Sequence, residues 1–273
     1  MEILMILGAF AGGIIGALIG GLPAFILLGF IGLAGLTATG SADLVGVAFG
    51  HILGPHIAFG GGGVAAAAYA HRIKKLEAGG DILTPLAKFN DVKILLVGGV
   101  FGIAAYMINY LYSIVLVIPT DTIAMTVVTL GIIARFMFGK TGLFGGECPN
   151  GNRVFVPTKE SVPFLIVMGF AMGTMSSYFA VVSDLMFFGF LLSAASLIFT
   201  QMGFPVPGTH HITLVAAYAG AATGSVLIGA LFGVIAALVG EFMGNTFNSY
   251  CDSHIDPPAF TIFVLSLFIF VFL

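Results

Sequence analysis

Two stretches of this sequence place helix-breaking residues and histidines inside otherwise apolar runs. The first covers residues 50–60 and has a proline beside His56, and the second covers residues 204–214 and has two prolines ahead of His210 and His211. Helix-breaking residues leave backbone N–H and C=O groups without hydrogen-bond partners. Because lipid offers no such partners, these segments must face protein or a cavity. We therefore predict two broken or re-entrant helices that face each other at the midplane of a membrane protein.

The composition supports a membrane location for the rest of the chain. Hydrophobic residues make up 59% of the 273 residues, charged residues make up 8%, and the formal net charge is −3. A soluble domain of this length cannot cover its surface with so few charges. We therefore expect an all-α polytopic membrane protein whose partner is the lipid bilayer, with no nucleic acid partner.

Apolar segments of about the right length for a membrane span recur along the whole chain. A bilayer requires roughly 20 residues of helix. The ten candidate segments are 3–21, 24–39, 43–70, 92–117, 121–139, 162–181, 184–201, 204–223, 225–247 and 257–273.

Four landmarks recur in the same order in the two halves of the sequence. They are the glycine-rich openings 7–13 and 168–173, the histidine stretches 50–60 and 204–214, the FGIAA motif 101–105 with its counterpart FGVIAA at 232–237, and the segments 121–126 and 256–261, which share Asp, Ala and Thr at equal spacing. This order indicates a duplication. We predict a first membrane repeat at 1–139, a cytoplasmic linker at 140–161 and an inverted second repeat at 162–273, with five segments in each repeat.

The basic residues predict the orientation of the chain. All nine Lys and Arg residues lie between Arg72 and Lys159, in or near the connectors 71–91 and 140–161. Because cytoplasmic loops carry an excess of Lys and Arg, both connectors are expected in the cytoplasm. Both termini are then expected on the external side of the cell membrane.

Four histidines fall in or beside the predicted helix breaks: His51, His56, His210 and His211. Ionisable groups inside a membrane are costly and usually functional, which favours a place on a solute or ion pathway. The alternative is a neutral imidazole that bonds to a freed carbonyl group and braces the break. No cofactor is predicted, although protons or a cation could be carried; if a metal binds, His56, His210 and His211 are its candidate ligands.

Glu241 is the strongest candidate for a carboxylate inside a membrane segment. Asn245 lies one helical turn away on the same face, and Asn109 lies at the aligned depth in the first half. No Lys or Arg follows Lys159 in the sequence, so no basic partner for Glu241 exists in the second half. We predict that Glu241 carries a proton or pairs with a cation, and we add Thr209, Asn245 and Asn109 to the predicted pathway.

A second group of polar residues is predicted at a mouth of this pathway. Asp252, His254 and Asp256 form a titratable cluster that could attract cations, and Asp121 is the counterpart of Asp256 in the first half. Asp121 and Asp256 could equally be ordinary N-caps of the last helix in each half. The four glycines at 60–63 could expose backbone to an anionic or neutral solute, or could serve close helix packing.

These features together favour an integral membrane transporter or channel for a small solute or ion, and not an enzyme. Its central pathway would run between the inverted repeats and would be lined by histidines and the membrane-embedded Glu241. An intramembrane metal- or histidine-dependent enzyme and a membrane subunit of a larger complex remain open alternatives. The glycine-rich first segment permits tight contact within the chain or with a second copy in a homo-oligomer.

Overall fold

The computed structural model describes residues 2–37, 42–148 and 151–273, and these residues form helices and no strand. The first half contains α1 (Ile3–Ile19), α2 (Gly21–Thr37), α3 (Ala42–Phe49), a π-helical segment (Pro55–Val64) continued by α4 (Ala65–Arg72), a 3₁₀ turn (Leu86–Phe89), α5 (Val92–Tyr110) continued by a short π-helical segment (Leu111–Val115), and α6 (Thr122–Phe138). The second half contains α7 (Ser161–Val182), α8 (Phe188–Ser196), α9 (Ile198–Gln201), α10 (His210–Thr223), α11 (Val226–Phe247) and α12 (Pro257–Phe272).

Among the described residues, three helices are long and apolar enough to cross a membrane: Val92–Val115, Ser161–Val182 and Val226–Phe247. The pair α1 and α2, bent by 115° where they meet, would make a fourth if it is one span. The all-helical class is therefore confirmed for the described residues, with three to four candidate membrane spans. Residues 38 and 39, the predicted end of the second segment, and residues 149 and 150 of the predicted linker lie outside the described part of the chain.

The bend between α1 and α2 depends on Gly20. Its φ of 95° lies in a region that L residues with a side chain rarely adopt, and its N–H still bonds to the carbonyl group of Gly16 at 2.9 Å. The N–H of Leu22, at the start of α2, bonds to the carbonyl group of Ile82 at 2.7 Å. The turn is therefore fixed by one glycine and by the connector that follows α4.

In the first half, α1 packs on α5 and on the π-helical segment Pro55–Val64 through glycines. A Cβ on Gly13 would lie 2.1 Å from the carbonyl oxygen of Gly98, and one on Gly16 would lie 1.9 Å from the carbonyl oxygen of Ala58. The backbones therefore touch directly at these points. The close contact predicted for the glycine-rich first segment is made within the chain at these glycines.

In the second half, α7 packs on α11 and on α10, again through small residues. A Cβ on Gly233 would lie 2.5 Å from the carbonyl oxygen of Gly169 and 2.7 Å from the Cα of Gly173. Gly220 and Gly229 both leave room for the side chain of Ser177. These helices therefore lie as close together as those of the first half.

The two halves meet where α2 packs on α8 and where α6 packs on α12. At one end of the second pair, the Thr120 hydroxyl donates to the carbonyl oxygen of Phe263 at 2.7 Å and lies 2.9 Å from the Ser266 hydroxyl. At the other end, a Cβ on Gly131 would lie 3.2 Å from the Cα of Ile255. Residue numbers rise along α6 as they fall along α12, so these two helices are antiparallel.

Two arginines, Arg135 of α6 and Arg153 of the predicted linker, bind the end of α11. Arg135, which is 1% exposed, donates to the carbonyl group of Phe247 and, at 2.8 Å, to both the hydroxyl and the carbonyl group of Ser253. Arg153 donates to the carbonyl groups of Asn245 and Thr246 at 2.9 and 2.8 Å. The last carbonyl groups of a helix lack partners within the helix, and basic side chains satisfy them well.

Asp252 fastens the segment that joins α11 and α12 to the end of the first half. Its carboxylate accepts from the Lys140 amide at 2.6 Å and from the Thr141 hydroxyl at 2.8 Å. Partial burial raises the pKa of Asp252, but these hydrogen bonds outweigh burial and hold the pKa below its ordinary value. The predicted mouth residue Asp252 is thus a link between the two halves.

Candidate functional site

A cavity of about 680 Å³ lies between the two halves of the chain. Its walls come from α2, α3 and α6 of the first half, from α8, α10 and α12 of the second half, and from the π-helical segment Pro55–Val64. Ligand cavities in proteins commonly measure roughly 300–1,000 Å³. The cavity is therefore large enough for a small organic molecule.

Most of the cavity wall is apolar and aromatic. The aliphatic part includes Leu22, Val127, Leu214 and Ile262. Six phenylalanines line it: Phe25, Phe49, Phe59, Phe187, Phe190 and Phe270. A ligand that fills this space must bury a substantial apolar surface.

One polar part of the wall is built around Asp256, the N-cap of α12. Its Oδ2 accepts from the Ala259 amide at 2.8 Å, and its Oδ1 lies 3.0 Å from Nε2 of His254. Nδ1 of His254 lies 3.0 Å from the side-chain amide nitrogen of Asn248, whose oxygen accepts from the Ile255 amide. With the Asn248 amide nitrogen donating to Nδ1, Nε2 of His254 is the ring nitrogen that donates to Asp256.

A second polar part of the wall is built around Asp121, the N-cap of α6. Its Oδ1 accepts from the Ala124 amide at 2.9 Å, and its Oδ2 accepts from the Tyr218 hydroxyl at 2.9 Å. The Asp121 amide donates to the Ser266 hydroxyl at 2.9 Å. Asp121 and Asp256 both cap their helices, as the sequence allowed, and both also line the cavity.

The two carboxylates lie at well-separated points along the α6–α12 pair. Asp121 bonds to Ser266, which follows Asp256 by nearly three turns of α12. At 1.5 Å per residue this separates the two carboxylates by roughly 15 Å along the pair. The apolar wall of the cavity therefore extends between two acidic positions, one on each half.

Four histidines lie in or beside the helix breaks. Of these four, His210 lines the cavity and the other three do not. Its ring centroid lies 4.8 Å from that of Phe25 and 6.2 Å from that of Phe190. Its Nδ1 is buried without a hydrogen-bond partner among the described residues, and Asp256 lines the same cavity. His210 thus adds an unused polar atom beside one carboxylate.

His211 and His56 are buried in the helix packing and do not line the cavity. A Cβ on Gly240 would lie 2.5 Å from Nε2 of His211, so this imidazole fills the space that the glycine leaves on α11. Nδ1 of His211 and Nδ1 of His56 both lack partners in the described part of the chain. His51 packs edge-on against Tyr106 at 5.3 Å between ring centroids, and it does not line the cavity either.

The remaining predicted pathway residues also lie elsewhere. Oε1 of Glu241 accepts from the hydroxyl of Ser161, the first residue of α7, at 2.6 Å. The main chain of Asn245 binds Arg153, and the hydroxyl of Thr209 lies 2.6 Å from that of Ser193. The side-chain oxygen of Asn109 is buried without a partner among the described residues, but Asn109 does not line the cavity.

The expectation that the glycines at 60–63 present backbone to a solute is wrong. These residues belong to the π-helical segment and are fully buried. A Cβ on Gly62 would lie 2.4 Å from the carbonyl oxygen of Gly13, and one on Gly63 would lie 2.2 Å from the Cα of Gly21. Close helix packing, the alternative that the sequence left open, explains these glycines.

Tyr218 is a polar cavity residue that sequence reasoning missed, and Thr120, Thr122 and Thr200 are others. Tyr218 follows His210 and Leu214 at intervals of four residues, which places all three on one stripe of α10. That spacing was available in the sequence, but it draws attention to Tyr218 only once His210 is known to face a cavity. In the described residues, no group of three or more His, Cys, Asp or Glu side chains is arranged to hold a metal ion.

Comparison with known proteins assigns the chain to a family but gives no function. No curated protein and no solved structure matches the chain. A model of a family of unknown function, DUF7973, matches residues 1–160 and 152–273, which together cover the whole sequence. The chain belongs to this family of unknown function, DUF7973.

Proposed function

We propose that the chain is an integral membrane transporter or channel for a small solute or ion, and that the cavity between its two halves is part of the pathway. The observation that carries this proposal is the cavity itself, which joins long apolar walls to a carboxylate from each half. Polar and ionisable groups that face an internal cavity of an apolar helical protein are typical of solute and ion pathways.

The packing of the helices supports the proposed inverted repeats. In the first half, α1 packs on α5 and on the π-helical segment, which in turn packs on α6. In the second half, α7 packs on α11 and on α10, which in turn packs on α12. The antiparallel pairing of α6 with α12 and the family-model ranges, which overlap at 152–160, further support two inverted units that meet near the proposed linker 140–161.

The proposed orientation is the one that the basic connectors favour, with 71–91 and 140–161 in the cytoplasm and both termini external. Lys75, in the first connector, donates to Asp91 at 2.6 Å, and this hydrogen bond lowers the pKa of the Asp91 carboxyl. Asp252 binds the start of the second connector. In this orientation Asp256 lies towards the cytoplasmic end of the cavity and Asp121 towards the external end.

In the proposed pathway the two carboxylates act in turn on a solute that crosses between them. His254 fixes the Asp256 carboxylate by donating from Nε2, and Tyr218 fixes Asp121 in the same way. His210 lines the space beside Asp256 with a free ring nitrogen. Glu241 is proposed only as an accessory proton or cation site, because its partner Ser161 lies outside the cavity wall.

Flux through proteoliposomes tests the proposal and its site together. Purified protein would be reconstituted, and the movement of protons, alkali cations and small organic solutes would be followed with and without protein. We expect flux that Asp256→Asn and Asp121→Asn reduce, while Glu241→Gln, a matched loss of charge outside the cavity, changes it less. No flux of any solute would contradict transport, and loss of flux in Glu241→Gln alone would place the pathway elsewhere.

A further inference from the structure

We propose that the cavity binds an organic cation with an apolar body, such as an aryl or alkyl ammonium ion. This inference rests on the proposed function and names the substrate class of the same site. It follows from three features of the wall: the sign of its charge, its aromatic surface and its lack of a metal-binding group.

The charged groups of the wall are negative. Asp121 and Asp256 line the cavity, and no Lys or Arg does so among the described residues. Both oxygens of each carboxylate accept a hydrogen bond. The donors to Asp256 are the His254 imidazole and a backbone amide, so among the described residues no Lys or Arg of the wall compensates its charge.

Uncompensated charge in an apolar cavity is costly, and a bound cation removes that cost. An anionic ligand would bring a further negative charge beside Asp256. The hydrogen bonds that Asp121 and Asp256 already accept leave free lone pairs on each carboxylate, so a cation can approach without breaking them. The electrostatics of the wall therefore select a positive ligand.

The aromatic surface selects an organic cation over a bare metal ion. The rings of Phe59 and Phe190 each lie 5.8 Å from Phe25, and the ring of His210 lies 4.8 Å from it. A quaternary ammonium group gains from aromatic faces within about 6 Å, whereas a small hydrated ion would lose its water to an apolar wall. The described residues also lack a group of three side chains that could replace that water around a metal.

A pair of isosteric probes tests the sign of the ligand's charge directly. Benzyltrimethylammonium is a permanent cation, and neopentylbenzene has the same shape with carbon in place of nitrogen. Binding of each to purified full-length protein would be measured by equilibrium dialysis against protein-free micelles of the same detergent. We expect the cation to bind at least about tenfold more tightly, a difference of about 1.4 kcal/mol.

Substitution then assigns the binding to the cavity. Asp256→Asn keeps a residue that caps a helix well, so the fold is preserved while the charge is removed. We expect it to weaken binding of the cation by about tenfold and to leave the neutral probe unchanged. Asp91→Asn removes a carboxylate that pairs with Lys75 outside the cavity and should change neither, which controls for net charge.

Each outcome separates this inference from the proposed function. Equal or tighter binding of the neutral probe, or equal binding of the cation to wild type and Asp256→Asn, would overturn the inference. Cation binding that follows the expected pattern without flux of any solute would leave the inference standing and contradict transport. Flux of another solute by a protein that binds neither probe would support transport and contradict the inference that the cavity binds an organic cation.

Discussion

The two histidine-bearing stretches have similar residues but take different structures. In the first, the chain leaves helix after Phe49 and resumes at Pro55 as a π-helical segment in which every residue is buried. In the second, it leaves helix after Gln201 and resumes only at His210, whose ring faces the cavity. The first stretch packs against other helices through its glycines and adds only Pro55 and Phe59 to the cavity wall, whereas the second presents His210 and Leu214 to the cavity.

The difference teaches that a helix breaker inside an apolar run has two separate uses. The glycines at 60–63 allow three helices to approach backbone to backbone, so their smallness matters more than their freedom to turn. In the second stretch a Cβ on Gly208 would meet the nearest side chain only at 3.6 Å, an ordinary contact. Four experiments test this contrast, from the largest expected effect to the smallest.

Gly63→Ala should cause the largest change. The new Cβ would lie 2.2 Å from the Cα of Gly21 and 2.5 Å from its nitrogen, and backbone atoms cannot move aside as a flexible side chain can. We expect a loss of about 3 kcal/mol in the free energy of unfolding, with little folded protein recovered in detergent. Size-exclusion chromatography and thermal unfolding would measure it, and an unchanged melting temperature would show that α2 and the π-helical segment are not in close contact.

Replacing one histidine in each stretch should separate transport from packing. His210→Leu removes an imidazole from the cavity wall, and we expect it to lower proteoliposome flux by at least about tenfold. His56→Leu keeps a similar volume in a buried site, and we expect flux per folded molecule to remain close to that of wild type. The reverse pattern would mean that the first stretch, and not the second, carries the solute.

Thiol labelling should distinguish the two stretches without any flux assay. In a background with Cys148 and Cys251 changed to Ser, Leu214→Cys would place a thiol on the cavity wall, whereas Ala58→Cys would place one in the helix packing. We expect a small uncharged maleimide to label the cavity thiol roughly fivefold faster, because the packed site reacts only after local opening. Mass spectrometry of the intact protein would follow the rates, and equal rates would argue that the cavity is closed to small molecules.

Gly208→Ala should have the smallest effect. The added methyl group fits beside Leu197 and His210 at contact distance, and a residue with fewer conformations in the unfolded state is mildly favoured. We expect the free energy of unfolding to change by less than about 1 kcal/mol. A loss as large as that of Gly63→Ala would show that the second stretch is packed as tightly as the first.

Much of the helical layout could be predicted from the sequence because long apolar runs in a chain with so few charges leave little choice. The capping roles of Asp121 and Asp256 were also accessible, since an acidic residue before an apolar run is a common helix start. The breaks at both histidine stretches could be read from glycine and proline alone. These are local properties, and local sequence determines them.

The sequence could not predict in the same way which residues line the cavity. Glu241 stood out because it is a carboxylate within an apolar helix, but its side chain meets Ser161 at the start of α7, which depends on how two helices pack. His210 and His211 are adjacent in sequence, and the rotation of α10 alone sends one to the cavity and the other to Gly240. Six phenylalanines of the wall carry no sequence signal that separates them from the others.

The arginine contacts at the end of α11 bear on how the protein is made. Arg135 and Arg153 emerge from the ribosome well before the carbonyl groups of residues 245–247 that they bind. These contacts, which satisfy the carbonyl groups at the end of α11, can therefore form only after the second half has been synthesised almost to its last helix.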